Sequence, residues 1–213
     1  MARLTDYEPF VGKSTIEELS LLAGHLRGKV MQHINATAVG GGVAEILNRL
    51  VPLFRDLGID ARWDVIKGNE RFFVITKKIH NMLHGRNEEL TKEDIKYYEE
   101  VGDFNLREMN FAGDFIFIHD PQPLTLVKKK AEMGRKWVWR CHIDSTLAEP
   151  SLWNYLACYV KDYDAAIFST MAFSKDLPIR QVIISPSIDP LSEKNKELDK
   201  GFIDQLLERF QID

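Results

Sequence analysis

Apolar positions along this chain follow two alternating rhythms. Short strand-like runs sit at Lys29–Asn35, Ala61–Ile66, Asp114–His119, Lys136–His142, Ala165–Ser169 and Gln181–Ser185, and Asp114–His119 is apolar on both faces. The runs predict strands, and the two-sided one predicts a central strand of a parallel sheet. Between them, apolar side chains return every three or four residues, the spacing of one helix face. Ile16, Leu19, Leu22 and Leu26 form one such stripe, and Val43, Ile46, Leu47, Leu50, Phe54 and Leu57 a second. Further helices are expected at about Leu124–Met133 and Ser151–Tyr163. A mostly helical insert is expected from about Arg71 to Met109. Strand and helix in alternation predict an α/β fold, a Rossmann-like, doubly wound parallel sheet. The sheet domain is expected over 1–186, followed by a linker and terminal helix over 187–213. Phe202, Leu206 and Phe210, joined by Ile203 and Leu207, give that last helix an apolar stripe, which is expected to dock on this sheet or on a second domain.

Punctuation residues sharpen the boundaries. Ser14 and Glu17 have the S-x-x-E spacing of a capping box and predict a helix start. Gly58 is placed to end the helix that begins after Gly42. Asn81–Gly85 reads as a helix end, and Thr91 with Asp94 as the next start. No internal repeat and no low-complexity segment interrupts the pattern.

Composition narrows the function classes. A net charge of −4 gives no electrostatic footprint for nucleic acid. Lys128, Lys129 and Lys130 are the only tight basic cluster and read as a solvated helix end. No apolar run approaches a membrane span, and no signal-peptide pattern opens the chain, so no membrane partner and a cytoplasmic location are expected. Cys141 and Cys158 both lie in apolar stretches and read as reduced core thiols.

Three places carry candidate chemistry. Gly12-Lys13-Ser14-Thr15 imitates the end of a phosphate-binding loop, but the glycine required five residues earlier is Tyr7, so the segment reads as a helix start. Gly40, Gly41 and Gly42 are different, because they join a buried strand to a helix. Backbone there can approach a ligand closely, and unpaired N–H groups at the helix start suit a phosphate or a sugar hydroxyl. The spacing is not G-x-G-x-x-G, and Lys67-Gly68 follows the second strand where a ribose-holding carboxylate would stand, which argues against a dinucleotide dehydrogenase. The third and fourth strands end in His119-Asp120 and His142-Ile143-Asp144. Each places a histidine and a carboxylate on the rim that carries the glycine turn, where carboxylates can hold sugar hydroxyls. These pairs lack a defensible metal-ligand spacing, so no metal is expected. Trp137, Trp139, Trp153, Tyr155 and Tyr159 read as packing residues.

At these residues the chain resembles the N-terminal domain of retaining glycosyltransferases of the two-domain GT-B fold, and within them the trehalose glycosyltransferring synthases. The stretches that carry the resemblance are HINATAVGGGVAEIL from His33, GIDARWDVIKG from Gly58, FFVITKKIHNMLHG from Phe72, FIFIHDPQP from Phe115, WVWRCHIDS from Trp137, FSTMAFSKDLP from Phe168 and SPSIDPLSEKN from Ser185. The resemblance implies an acceptor-side domain whose donor-binding C-terminal partner domain lies outside this sequence. It implies transfer of glucose from a nucleoside-diphosphate glucose to glucose, giving trehalose, with the nucleotide sugar as substrate and no cofactor. It places Gly41 and Gly42 against the donor phosphates, His142 at the transferred glucose, Asp120 and His119 at the acceptor, and Asp144 in acceptor contact. His142 and Asp120 are thereby the expected catalytic residues. A half of a trehalose phosphorylase, and a stand-alone sugar-binding or self-associating module, remain the alternative readings of the same residues.

Overall fold

The computed structural model describes residues 3–212. Six strands, β1 (Val30–Asn35), β2 (Asp60–Val65), β3 (Phe115–His119), β4 (Lys136–Arg140), β5 (Ala165–Phe168) and β6 (Arg180–Ile183), form one sheet in the order β2-β1-β3-β4-β5-β6. Every pairing is parallel. This is the Rossmann-like doubly wound architecture expected from the alternation, and it matches the N-terminal half of a GT-B fold. Eight α-helices accompany the strands among the described residues: α1 (Glu8–Val11), α2 (Lys13–Gly24), α3 (Gly42–Asp56), α4 (Glu70–Leu83), α5 (Lys92–Glu108), α6 (Lys130–Met133), α7 (Pro150–Val160) and α8 (Lys200–Phe210). The chain leaves β1 toward β2 and returns to β3 on the other side of β1. That reversal opens a crevice at the carboxyl ends of β1 and β3, the place where such sheets bind ligands.

The two faces of the sheet are unequal. Ile34, Ile116, Ile118, Trp137, Trp139, Ala166 and Phe168 project to one side and meet Phe72, Ile75 and Ile79 of α4, Tyr98 of α5 and Leu152 and Leu156 of α7 in the main core. The other face is covered mainly over β1, β2 and β3. There Met31 packs with Ala23 of α2 and with Ile59, Phe54 and Phe117, while Ala61 packs with Leu47 and Val51 of α3. His33 and His119 lie on this second face, on the same parity as Met31 and Phe117.

Local chemistry explains the boundaries. Gly58 adopts φ 80° after α3, while the N–H of Ile59 donates to Phe54 and that of Gly58 to Arg55, a Schellman closure. Thr91 and Asp94 form the expected capping box of α5, with Asp94 N–H donating to Thr91 Oγ1 at 3.0 Å and Thr91 N–H to Asp94 Oδ2 at 3.2 Å. Lys128, Lys129 and Lys130 pair with Asp103, Glu132 and Asp164.

Four expectations need correction. Ser14 is not a cap: α2 starts at Lys13 with Gly12 as its N-cap at φ 80°, a conformation open to glycine, so Ser14 is already inside the helix. The stripe of α2 is not buried either, since Leu22 is 55% exposed and Ala23 is its one buried residue. Leu124–Lys129 winds as a 3₁₀ helix before α6 continues it. Its residues Leu124 to Val127 are all buried between α5 and α7, and its carbonyls are drawn sideways, Leu124 accepting the hydroxyl of Tyr163 at 2.7 Å. Cys141 is buried as expected, but Cys158 is exposed on α7. The stripe of α8 stays open among the described residues, with Phe210 63% exposed. No helix of the structure is long and apolar enough to cross a membrane.

Candidate active site at the strand carboxyl ends

The glycine turn is held by the strand that precedes it. Asn35, the last residue of β1, accepts the indole N–H of Trp63 at 2.7 Å and donates its own amide to the carbonyl of Thr37 at 2.8 Å. Thr37 Oγ1 then donates to the carbonyl of Val39 at 2.6 Å. Gly40 follows at φ 78°, the only one of the three glycines with a left-handed backbone. Gly41 is extended, at φ −159° and ψ 154°, and serves as N-cap of α3 without any side-chain hydrogen bond. A Cβ on Gly42 would meet nothing within 4 Å, and one on Gly41 only Thr37 Cγ2 at 3.8 Å. Neither backbone strain nor packing within the described residues therefore requires glycine at 41 and 42. No side chain caps the first N–H groups of α3, and such uncapped groups suit an anion.

Three histidines, from within β1, the end of β3 and just beyond β4, line up across the sheet. His33 Nδ1 lies 3.0 Å from His119 Nε2, and His119 Nδ1 lies 3.0 Å from His142 Nε2. His33 is 3% exposed, and its ring stacks on Phe117 at 4.9 Å and Phe54 at 5.9 Å between centroids. Its Nε2 is buried without a partner. Burial holds the imidazole of His33 down at about 4, and burial with the nearby Arg140 does the same for His142. His119 is pushed well below the ordinary range by burial, then by its two histidine neighbours and Arg140. All three rings are thus neutral at pH 7, and each carries one donor and one acceptor nitrogen. The rings meet edge to edge in a row, and no group of three histidine, cysteine or carboxylate residues suited to a metal ion occurs among the described residues.

Asp120 ties this row to the sheet. Its Oδ1 accepts the backbone N–H of His142 at 2.7 Å, and its carbonyl accepts the indole N–H of Trp139 at 3.0 Å. Asp120 has φ 63°, a left-handed conformation that aspartate tolerates better than most residues. Burial pushes its carboxyl up to about 7, against the pull of the His142 N–H and of Arg140. Arg140 is itself buried and spans the ends of β5 and β6, donating to the carbonyls of Phe168 at 3.1 Å and Ile184 at 2.8 Å.

The hydrogen bonds of these histidines and aspartates run from strand to strand rather than between sequence neighbours. Asp120 bonds to His142 rather than His119, and His119 bonds to the other two histidines. Asp144 stands at the rim, where its Oδ1 accepts the N–H of Thr146 at 2.8 Å; the Thr146 side chain, and then that N–H, hold its carboxyl below the usual range. His33 and Arg140 were not singled out from the sequence. The available signal was a charged or titratable residue within a strand run, present at both positions.

A family model described as the N-terminal domain of trehalose synthase matches residues 33–175. The chain is 46% identical over 217 residues to a trehalose synthase of Thermococcus litoralis, covering 99% of this chain and 52% of that relative. The figures are the same for one from Pyrococcus furiosus, and a trehalose synthase of Rubrobacter xylanophilus is 39% identical over 218 residues. The chain thus spans about half the length of the curated relatives it matches. With the matched segment running through the glycine turn, the histidine row and Asp144, the chain belongs to the family of trehalose synthase N-terminal domains.

Proposed function

We propose that this chain is the acceptor side of a retaining glucosyltransferase that makes trehalose from a nucleoside-diphosphate glucose and glucose. The observation that carries the reading is the turn at Gly41 and Gly42, where nothing among the described residues demands glycine and no side chain caps the first N–H groups of α3. A diphosphate fits there by charge and by close backbone approach. Asp120 and His142 stand beside it at the same sheet edge, joined by a 2.7 Å hydrogen bond. In this reading His142 meets the glucose being transferred, while Asp120, with His119 behind it and Asp144 at the rim, orients the acceptor. The bond from the anomeric carbon to the leaving phosphate oxygen breaks, the bond to the acceptor hydroxyl oxygen forms on the same face, and the hydroxyl proton passes to the leaving diphosphate. The protein then contributes positioning and electrostatic stabilisation rather than a covalent nucleophile. No cofactor takes part. The donor's nucleotide is held by a second domain such as the remaining half of the relatives would supply.

The test is trehalose formation by this chain alone and by this chain joined to the C-terminal half of the Thermococcus litoralis relative. Formation from nucleoside-diphosphate glucose and glucose by the joined protein only is the expected result. Formation from glucose 1-phosphate instead would replace this reading with a phosphorylase. No sugar transfer by a folded joined protein would overturn it.

A further inference from the structure

The histidine row has a closed end and an open end. At the closed end, His33 Nε2 is buried without a partner between Phe54 and Phe117. At the other end His142 is only partly buried, and its Nδ1 has no hydrogen-bond partner among the described residues, yet does not appear among the buried unpartnered atoms. It is therefore open to solvent. The two 3.0 Å contacts between the rings couple their protons. Neutral imidazole has one N–H and one bare nitrogen, so each contact needs a donor on one side and an acceptor on the other. Only two arrangements of the neutral row satisfy both contacts. Either every ring carries its proton on Nδ1, or every ring carries it on Nε2.

The two arrangements differ at their ends. With protons on Nε2, His33 buries an N–H that has no acceptor. With protons on Nδ1, His33 buries a bare nitrogen, and His142 turns an N–H toward the crevice. Buried donors without partners are the rarer and costlier case. The apolar dead end also means that the row cannot pass a net proton inward, because nothing beyond His33 Nε2 accepts one.

We infer that the closed apolar end of the row, where Phe54 and Phe117 leave His33 Nε2 without an acceptor, acts through His33 and His119 to fix the tautomer of His142, so that His142 presents an Nδ1–H donor to the crevice. A neutral donor held there suits an oxygen acceptor, a sugar hydroxyl or a phosphate oxygen, without adding charge beside Asp120. That identification of the ligand rests on the proposed transferase reading, whereas the tautomer does not.

The test is the ring-nitrogen spectrum of the folded chain labelled with ¹⁵N-histidine, recorded at pH 7 and assigned by single histidine substitutions. The expected result is a proton on Nδ1 of His33, His119 and His142 alike. His33→Phe keeps the aromatic stack and moves the apolar closed end to His119 Nε2, so His142 should keep its Nδ1–H form. Phe54→Ser opens the closed end, lets water accept a hydrogen bond from His33 Nε2–H, and should shift His142 to a mixture of both tautomers. A proton on Nε2 of His142 in the unaltered chain overturns the inference, with no variant needed. So does an unchanged His142 tautomer in folded Phe54→Ser. Neither result depends on sugar transfer, so this inference and the functional reading can fail separately.

Discussion

Asp120 and His142 staple two neighbouring strand ends together: the carboxylate of the first accepts the backbone N–H of the second at 2.7 Å. The bond spans from the end of β3 to just beyond β4 and needs only an acceptor oxygen in the right place. Asp120→Asn supplies that oxygen and tolerates the left-handed backbone at φ 63°. It should leave stability within about 1 kcal/mol of the parent, yet lower trehalose formation in the joined protein about 10²-fold by misplacing the acceptor. Asp120→Ala also strands the His142 N–H and should cost about 2–4 kcal/mol in a denaturant melt. Equal transfer rates for parent and Asp120→Asn would remove Asp120 from the site.

The neutral histidines make stability depend on pH with a definite sign. His33 and His142 sit at about 4 in the folded chain against 6.5 unfolded, and burial holds His119 well below its ordinary range too. Between pH 4 and 6.5 the unfolded chain binds protons that the folded chain refuses, so stability rises with pH across that window. Asp120 acts the other way, because its folded value of about 7 against 3.8 unfolded makes stability fall as pH rises between them. Three histidines against one carboxyl leave about two protons net, a gain of roughly 2–3 kcal/mol per pH unit near pH 5. Asp114 and Asp164, held low by a backbone N–H and neighbouring cations, matter only in more acid solution. Denaturant melts from pH 4.5 to 7 should show the slope, and His33→Asn should flatten it by about one proton. A level profile would mean that the row is charged or open to water.

Two glycines with opposite surroundings separate folding from function. Gly85 has φ 75°, and a Cβ there would lie 2.8 Å from the carbonyl oxygen of Leu147. Gly85→Ala therefore adds backbone strain to a clash with main chain and should cost about 2–4 kcal/mol. Gly42 is helical and faces open space, so Gly42→Ala should hold or raise stability by up to about 1 kcal/mol. In the joined protein the same Gly42→Ala should weaken donor binding at least tenfold, read as KM for the nucleotide sugar. If transfer is unaffected while stability rises, the glycine turn is only a turn.

The sheet was legible because burial on both faces leaves a plain mark. Phe115–Ile118 is an unbroken apolar run, and it is the central β3. Gly58 and the Thr91–Asp94 pair were legible for the same local reason, since each solves one backbone problem within its own turn. The candidate site was only half legible. His119, Asp120 and His142 stand out by position at strand ends, but their connections cross from strand to strand and depend on register. His33 pairs in register with Phe117, so its bond to His119 runs diagonally and leaves no spacing signal in the chain. The stripe on α8 does not pack on this sheet among the described residues, because periodicity records that a face is apolar and says nothing of what covers it. The 3₁₀ winding of Leu124–Lys129 was invisible because four consecutive buried residues fit no single helical stripe.

The two thiols should report on this site without touching it. Cys158 is exposed on α7 and should react quickly with an aromatic disulfide reagent. Cys141 lies between Arg140 and His142, is 0% exposed, and donates its S–H to the carbonyl of Ile143 at 3.6 Å. Burial, with Asp120 nearby, holds its thiol well above the ordinary range, so little thiolate forms even when reagent arrives. The native chain should therefore show one fast thiol, and the unfolded chain both. Slow labelling of Cys141 then measures how often the ends of β3 and β4 separate. Asp120→Ala, which breaks the staple between those ends, should speed that slow phase at least tenfold, whereas Asp120→Asn should leave it near the parent rate. Fast labelling of both thiols in the native parent chain would show that the crevice floor is open and that the histidine row is not packed as described.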